Sequence, residues 1–389
     1  MADHIPFVFS TEDLRLLGSF YSDSIAVRLS LKNIHKTAVS SIPPNSLMWL
    51  DPAVDGLDRW PNVDHEYERH ISKFNGHDRI GDATFQQSPQ EGIVKEFVDA
   101  VLDKCNTQLG VNWLSIPQLP LVNDSSRNKI NKCLAKCTRQ WKLEEEFKGK
   151  LILPIIFTNQ KQLNLKTERN KKISLIEQCF ELSGADGIWA VDSSLSDQDS
   201  SPKNEQRFSK LMSFHQELGV VLPKDAISIA GPYWGMNLIL WARGLVRYPA
   251  VGLGSSYQYY IPANSPKKAK VRLAIPPIKR CAVAGPQLRK WLEGALIRLP
   301  KEDEAHRELA ELLRHFDRFE VRNRSQIASF YKKWFEKIAT APDSSRALAL
   351  YQDLSSAYVI GKSLQDLPSI ERAGRKPYRV AKHLMVNCL

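Results

Sequence analysis

The sequence predicts an α/β protein built on a (β/α)8, TIM-like barrel with a helical appendage at its C-terminal end, and three observations lead there. Short apolar runs recur along the chain, each followed by a polar connection and a segment of helical spacing, at intervals of about 35 to 45 residues, as βα units with parallel strands require. The runs are continuously apolar rather than alternating, which is the pattern of strands covered on both faces. About seven or eight such strands can be counted, enough to close a barrel, with an open doubly wound sheet as the alternative arrangement.

Taken in order, YSDSIAVRLSL (21–31) is an early strand, SSIPPNS a loop, and Leu47 to Leu50 a buried strand ending at Asp51. The charged stretch 58–90 reads as a long loop over the active face of the barrel. Residues 91–109 carry Ile93, Val94, Phe97, Val98, Val101 and Leu102 at helical spacing, and VNWLSIPQLPL follows as a strand with proline at its exit. Residues 126–147 are again helical. GKLILPIIFT (149–158) is the clearest buried strand; the helix 172–182, the strand GADGIWAVDSS, the helix 208–218 and the strand AISIAGPYWG continue the alternation. PAVGLGSSYQYYIP and VRLAIPPIK supply the remaining strands. From about residue 300 onward only helical patterns follow (301–316, 325–339 and 344–362), ending in the basic stretch RAGRKPYRVAKH. The expected domains are therefore a barrel over 1–300, with the 58–90 loop, and a helical, basic region over 301–389.

Of 389 residues, 43% are hydrophobic and 25% charged, an ordinary globular composition. No segment approaches the roughly 20 uninterrupted apolar residues of a membrane-spanning helix, and the first residues do not resemble a secretory signal, so a soluble cytoplasmic protein with no membrane partner is expected. The six cysteines are scattered without a CxxC pair; Cys133 and Cys137 share a helical spacing, and reduced thiols are expected rather than disulfides or a metal site. His65, His70 and His77 fall in the charged stretch without a ligand motif, so no metal is assigned. Neither GxGxxG nor GxxxxGK[ST] occurs, and no cofactor is assigned.

In a barrel the catalytic groups sit just past the C-terminal ends of the strands. That rule selects Asp51 and Asp192 as candidate catalytic carboxylates, because two carboxyl groups facing one pocket can divide acid and base roles through environment-split acidities. The bland alternative for both is a loop aspartate that closes a turn or caps a helix. The same rule selects Asp55, Gln118, Thr158, Asn159, Tyr233, Asn237, Ser255 and Tyr257 as substrate-facing candidates.

The formal charge is +11, and residues 261–300 hold nine Lys or Arg against a single acid, Glu293. Lys267, Lys268, Lys270, Arg272, Lys279 and Arg280 in that stretch, near Tyr233, Trp234, Tyr257, Tyr259 and Tyr260, form a candidate nucleic-acid-binding set, since aromatic faces interleaved with basic groups suit stacked bases along a phosphate backbone. A solvated basic face or a protein-docking face has the same composition.

The segment from Ala226 to Tyr257, a strand followed by AGPYWGMNLILWARGLV and then AVGLGSSY, resembles the late strand–helix–strand of tRNA-guanine transglycosylase-type barrels, which include DNA-modifying relatives. The resemblance implies a (β/α)8 fold. In that family an aspartate at the end of the later strand is the nucleophile of base exchange and a cysteine-rich zinc site follows. Here the corresponding place reads LGSSY, with Ser255 and Ser256, and the zinc cysteines are missing.

Three functional expectations follow. The first is a barrel protein associated with nucleic acid or nucleotides, acting on them as an enzyme. The second is a non-catalytic docking subunit of a multi-protein nucleic-acid-processing or defence complex, with protein partners on the helical C-terminal region. The third, a glycoside hydrolase, rests on a barrel with carboxylates.

Overall fold

A computed structural model describes residues 4–8, 11–20, 25–31, 42–43, 45–63, 65–108, 111–158, 162–196, 201–252, 259, 271–321, 323–368, 370 and 376–389. Eight parallel strands close into a barrel in sequence order: β1 (Ile5–Val8), β2 (Ala26–Ser30), β3 (Leu47–Asp51), β4 (Val111–Ser115), β5 (Lys150–Phe157), β6 (Gly187–Asp192), β7 (Ile227–Ala230) and β8 (Tyr248–Gly252). Closure is made by β8 against β1, with Ile5 opposite Ala250 and Phe7 opposite Gly252. The predicted (β/α)8 fold is the observed one.

Two strands are assigned differently from the sequence expectation. The first barrel strand is IPFV, only four residues long, too short to give a periodic signal next to the longer run at 21–31. VRLAIPPIK is not a barrel strand. It folds back through the turn Pro276–Ile278, so that β9 (Arg272–Ile275) pairs antiparallel with β10 (Arg280–Val283) outside the barrel. An apolar run of four to eight residues does not by itself distinguish a barrel strand from a hairpin strand.

The stretch 58–90 is not an open loop. It carries the helices His65–Ile71, His77–Gly81 and Ala83–Gln87, and it buries Tyr67, Ile71, Phe74 and Ile80 against the main core. Its charges occupy the outer faces of short helices, which hides the apolar positions from a reading by composition. His70 Nε2 lies 3.1 Å from the Pro52 carbonyl and His77 Nδ1 2.8 Å from that of Phe74.

Long helices cover the barrel where the sequence spacing places them, at Glu91–Asn106, Ser125–Glu144, Lys166–Ser183 and Pro202–Val221. The barrel interior is filled with large rings, as a packed barrel core requires. Trp49 stands edge-on to Phe7 and Trp189, with ring centroids 5.4 and 5.7 Å away, and its indole N–H donates to Ser115 Oγ at 2.9 Å. Trp189 donates to the Gly231 carbonyl at 2.7 Å.

Packing does not divide the chain at residue 300. A second apolar core joins Leu273, Ile275, Ile278 and Ala282 of the hairpin to Leu288, Trp291 and Leu292 of the helix Pro286–Arg298 and to Leu309 and Leu312 of the helix Glu304–Arg314. The alternate hairpin residues Ala274 and Cys281 pack into the main core. A two-residue period lets one short hairpin contribute to both cores. The helices Asn323–Ala339, Arg346–Ser363 and Arg379–Met385 follow. No described helix is long and apolar enough to cross a membrane.

Candidate active site at the C-terminal end of the barrel

β3 ends at Asp51, after which Ala53 takes a left-handed conformation (φ 57°) and leads into the 3-10 turn Val54–Arg59. The Ala53 N–H donates to Asp51 Oδ1 at 3.2 Å, while Asp51 Oδ2 accepts from Arg28 Nη2 in a buried ion pair. Arg28 comes from the middle of β2, in register with Phe7 and Trp49 on the neighbouring strands, so its side chain shares the inward face with theirs. Its guanidinium carbon lies 4.6 Å from the ring centroids of both Phe7 and Trp189, and 6.0 Å from that of Tyr259. Such placement lets aromatic faces offset part of the cost of burying a cation.

The turn then brings Asp55 to the same place. Asp55 Oδ2 accepts a hydrogen bond of 2.9 Å from Tyr259, which follows β8 in the chain. Arg28 is 2% exposed, and Asp51, Asp55 and Tyr259 are each 4% exposed. Burial, reinforced by the charge of Asp51, raises the Asp55 carboxyl from 3.8 to about 6, against the opposing hydrogen bond from Tyr259 and the charge of Arg28. The Tyr67 phenol is pushed well above its usual value, first by burial and then by the Asp55 carboxylate. Tyr259 is raised in the same way. Tyr67 stands against the backbone of the turn: a Cβ on Gly56 would come within 2.5 to 2.8 Å of its ring, so the close approach requires glycine there.

The other predicted residues lie elsewhere. Asp192 ends β6, but its carboxylate is paired with Arg207 of the helix Pro202–Val221, in the helix layer outside the strands. Burial raises the pKa of the Asp192 carboxyl, with Arg207 opposing. Its Oδ1 accepts from the Ser194 N–H at 2.9 Å, and its backbone N–H donates to the Tyr233 hydroxyl at 2.6 Å. Asp192 and Tyr233 thus form one structural cluster, and the carboxyl group that accompanies Asp51 is Asp55. Gln118 donates to the Asn131 carbonyl at 2.9 Å and ties the end of β4 to the helix Ser125–Glu144. Asn237 donates to the Ala250 carbonyl, and the Thr158 backbone N–H donates to Gln162 Oε1 at 3.0 Å. Asn159, Ser255, Tyr257, Lys267, Lys268 and Lys270 lie outside the described residues.

The basic set is split by the hairpin. Arg280 is 1% exposed and donates to the Lys376 carbonyl at 3.3 Å, so it faces protein rather than a polyanion. Lys279 is held 3.3 Å from Asp353 and lies over the rings of Phe330 and Trp334. Arg272 is half-buried on β9. The turn between two apolar strands, not a solvated basic face, determines where these three side chains go.

The rule of strand ends found Asp51 and Asp55 but could not find Arg28, which lies within a strand. The available signal was an arginine inside the apolar run of YSDSIAVRLSL, where a buried charge demands a partner. Tyr67 had no signal, because its helix lies in the stretch read as loop.

Taken together, a carboxyl group raised to about 6, a second carboxyl group, a guanidinium and two phenols converge at the C-terminal end of the barrel, a set of groups of the kind that can exchange protons. No protein-family model matches the chain, and no curated protein sequence matches it.

Proposed function

We propose that the chain is a barrel enzyme of acid–base type acting on a nucleotide or nucleic acid, with Asp55 as the group that gives and takes the proton. The observation that carries the reading is the state of Asp55: a carboxyl with its midpoint near 6, at the C-terminal end of β3 and hydrogen-bonded to Tyr259, can be protonated or ionised under ordinary conditions. Asp51 has a different task. It fixes Arg28 and, by its charge, keeps the proton on Asp55.

Arg28 retains a buried Nε–H with no acceptor among the described residues. A phosphate or other oxyanion of a substrate would satisfy it, and the flanking rings would exclude water. In this reading the substrate's own hydroxyl or ring nitrogen replaces the Tyr259 hydroxyl at Asp55. The net charge of +11 and the basic stretch that contains Lys267, Lys268 and Lys270 support a polyanionic substrate. Base exchange by the transglycosylase route is not part of the proposal, since the corresponding strand end carries Ser255 and Ser256.

The experiment is to incubate the protein with free nucleotides and with single- and double-stranded DNA and RNA across a salt series. Binding and products, by mass spectrometry, are compared among wild type, Asp55→Asn, and a chain with Lys267, Lys268 and Lys270 neutralised. Salt-sensitive binding that weakens in the lysine variant, with product lost in Asp55→Asn, supports the reading; product formation equal in Asp55→Asn and wild type would sink it. A second reading, a non-catalytic docking subunit, draws on the nearly complete burial of Arg28, Asp51, Asp55 and Tyr259. It expects Asp55→Asn to change stability alone.

A further inference from the structure

Away from the barrel interior, a groove of about 790 Å³ opens between the helices Glu304–Arg314 and Asn323–Ala339, with the turn Pro276–Ile278 and Lys279 at one end. That volume is in the range of sites for small organic ligands. One side is basic: Lys279, Lys333 and Lys337 line the groove that Glu308 faces. Lys279 and Lys337 share one buried counter-charge, Asp353, at 3.3 and 2.5 Å. Lys333 is exposed at the groove, and no ion pair of 4.0 Å or less is formed by it among the described residues. The facing helix presents Glu304 and Glu308, one turn apart, which likewise form no ion pair among the described residues.

The floor between these sides is aromatic. Phe330 and Trp334 lie with ring centroids 5.6 Å apart and planes 30° apart. The Trp334 indole N–H is buried and has no acceptor among the described residues. Two kinds of group are therefore left short of partners at the groove: ammonium groups sharing one carboxylate, and carboxylates with no ion pair among the described residues.

We propose that this groove is a binding site for a nucleoside monophosphate. The phosphate would lie against Lys333 and its neighbours, since a compact ammonium group is a common phosphate partner. Ribose hydroxyls or an exocyclic amine would donate to Glu304 and Glu308, the use that carboxylates commonly have in nucleotide sites. The base would lie against the edges of Phe330 and Trp334 that line the groove. Phosphate alone leaves the carboxylates unmatched, and an uncharged nucleoside leaves the lysines unmatched. The proposal is independent of the reading of the barrel, which involves different residues.

The test uses the whole chain labelled with ¹⁵N at its indole nitrogens, titrated with adenosine monophosphate, with adenosine and with inorganic phosphate. The Trp334 signal is assigned from Trp334→Phe. We expect adenosine monophosphate to shift the Trp334 resonance saturably and the other two to do so only at much higher concentration. Lys333→Ala and Glu308→Gln, both at exposed positions, should each weaken that binding about tenfold, as loss of one charge-assisted hydrogen bond does. Shifts confined to Trp49 and Trp189 would place the nucleotide in the barrel and overturn the groove site. No shift of Trp334 with any of the three, or binding indifferent to both substitutions, would overturn it as well and leave the groove to a protein partner.

Discussion

The Tyr259 hydroxyl donates to Asp55 Oδ2 at 2.9 Å across 204 residues of chain, joining the segment after β8 to the turn after β3. Tyr259 also neighbours Arg28, whose guanidinium carbon lies 6.0 Å from the Tyr259 ring centroid. A single contact thus links the last strand of the barrel to the pair at its third, and the acidity of Asp55 depends on it.

The first prediction concerns that acidity. The Asp55 carboxyl rises from 3.8 in an ordinary environment to about 6 in the folded protein. Folding therefore favours its protonated form, so the group's contribution to stability is fully present below about pH 4 and is lost as pH rises through about 6. Above that range the buried charge costs about 3 kcal/mol relative to low pH. Asp55→Asn removes the charge while retaining an acceptor for Tyr259. Urea unfolding between pH 4 and 8 should show the variant more stable than wild type at pH 8, with the difference shrinking as pH falls.

Arg28 and Asp51 give the second prediction. Arg28→Met leaves the Asp51 carboxylate buried beside Asp55 without its guanidinium, and the expected loss is about 3 to 5 kcal/mol. Adding Asp51→Leu removes the orphaned charge and should return most of that loss. A double-mutant cycle by denaturant unfolding measures the coupling, and additive effects of the two substitutions would contradict the ion pair's place in the core.

Much of the fold was readable because parallel strands covered on both faces leave continuous apolar runs, as LILPIIF in β5 does. The four-residue β1 and the hairpin VRLAIPPIK were misread because length and hydrophobicity alone do not say which sheet a run joins. At the site, Asp51 and Asp55 follow from the rule of strand ends. Asp192 obeys the same rule and yet turns to Arg207, because strand residues alternate between the barrel interior and the helix layer. Which parity faces inward is fixed by closure, and closure depends on the missed first strand.

Asp192 supplies the third prediction. Arg207→Met strands the Asp192 carboxylate in the helix layer and should cost about 3 to 5 kcal/mol, similar in size to the loss at Arg28. The recorded partners of the two sites differ, Arg207 for Asp192 and Tyr259, Arg28 and Asp51 for Asp55, so Arg207→Met should leave the pH dependence assigned to Asp55 unchanged. Unfolding of Arg207→Met, alone and combined with Asp55→Asn, across pH 4 to 8 checks this. An effect of Asp55→Asn on the pH profile that differs between the Arg207→Met and wild-type backgrounds would mean that Asp192 and Asp55 are electrostatically coupled, whereas a change common to both is the titration of the stranded Asp192 itself.

The last prediction is steric. Gly56 sits in the turn that carries Asp55, and a Cβ there would meet the Tyr67 ring at 2.5 to 2.8 Å, a separation that must be relieved by movement of the ring or the turn. Gly56→Ala should cost about 1 to 3 kcal/mol as an overpacking change. Because Tyr67 is fully buried on the helix His65–Ile71, the turn rather than the ring is expected to give way, moving Asp55 away from Tyr259. Removing the ring with Tyr67→Leu in the Gly56→Ala background should therefore make the two costs less than additive, whereas Tyr67→Phe, which keeps the ring, should not. Thermal or urea unfolding of Gly56→Ala, Tyr67→Leu, Tyr67→Phe and the two double variants separates these cases. Equal effects of Leu and Phe at position 67 would show that the clash is relieved elsewhere and that Gly56 does not set the position of Asp55.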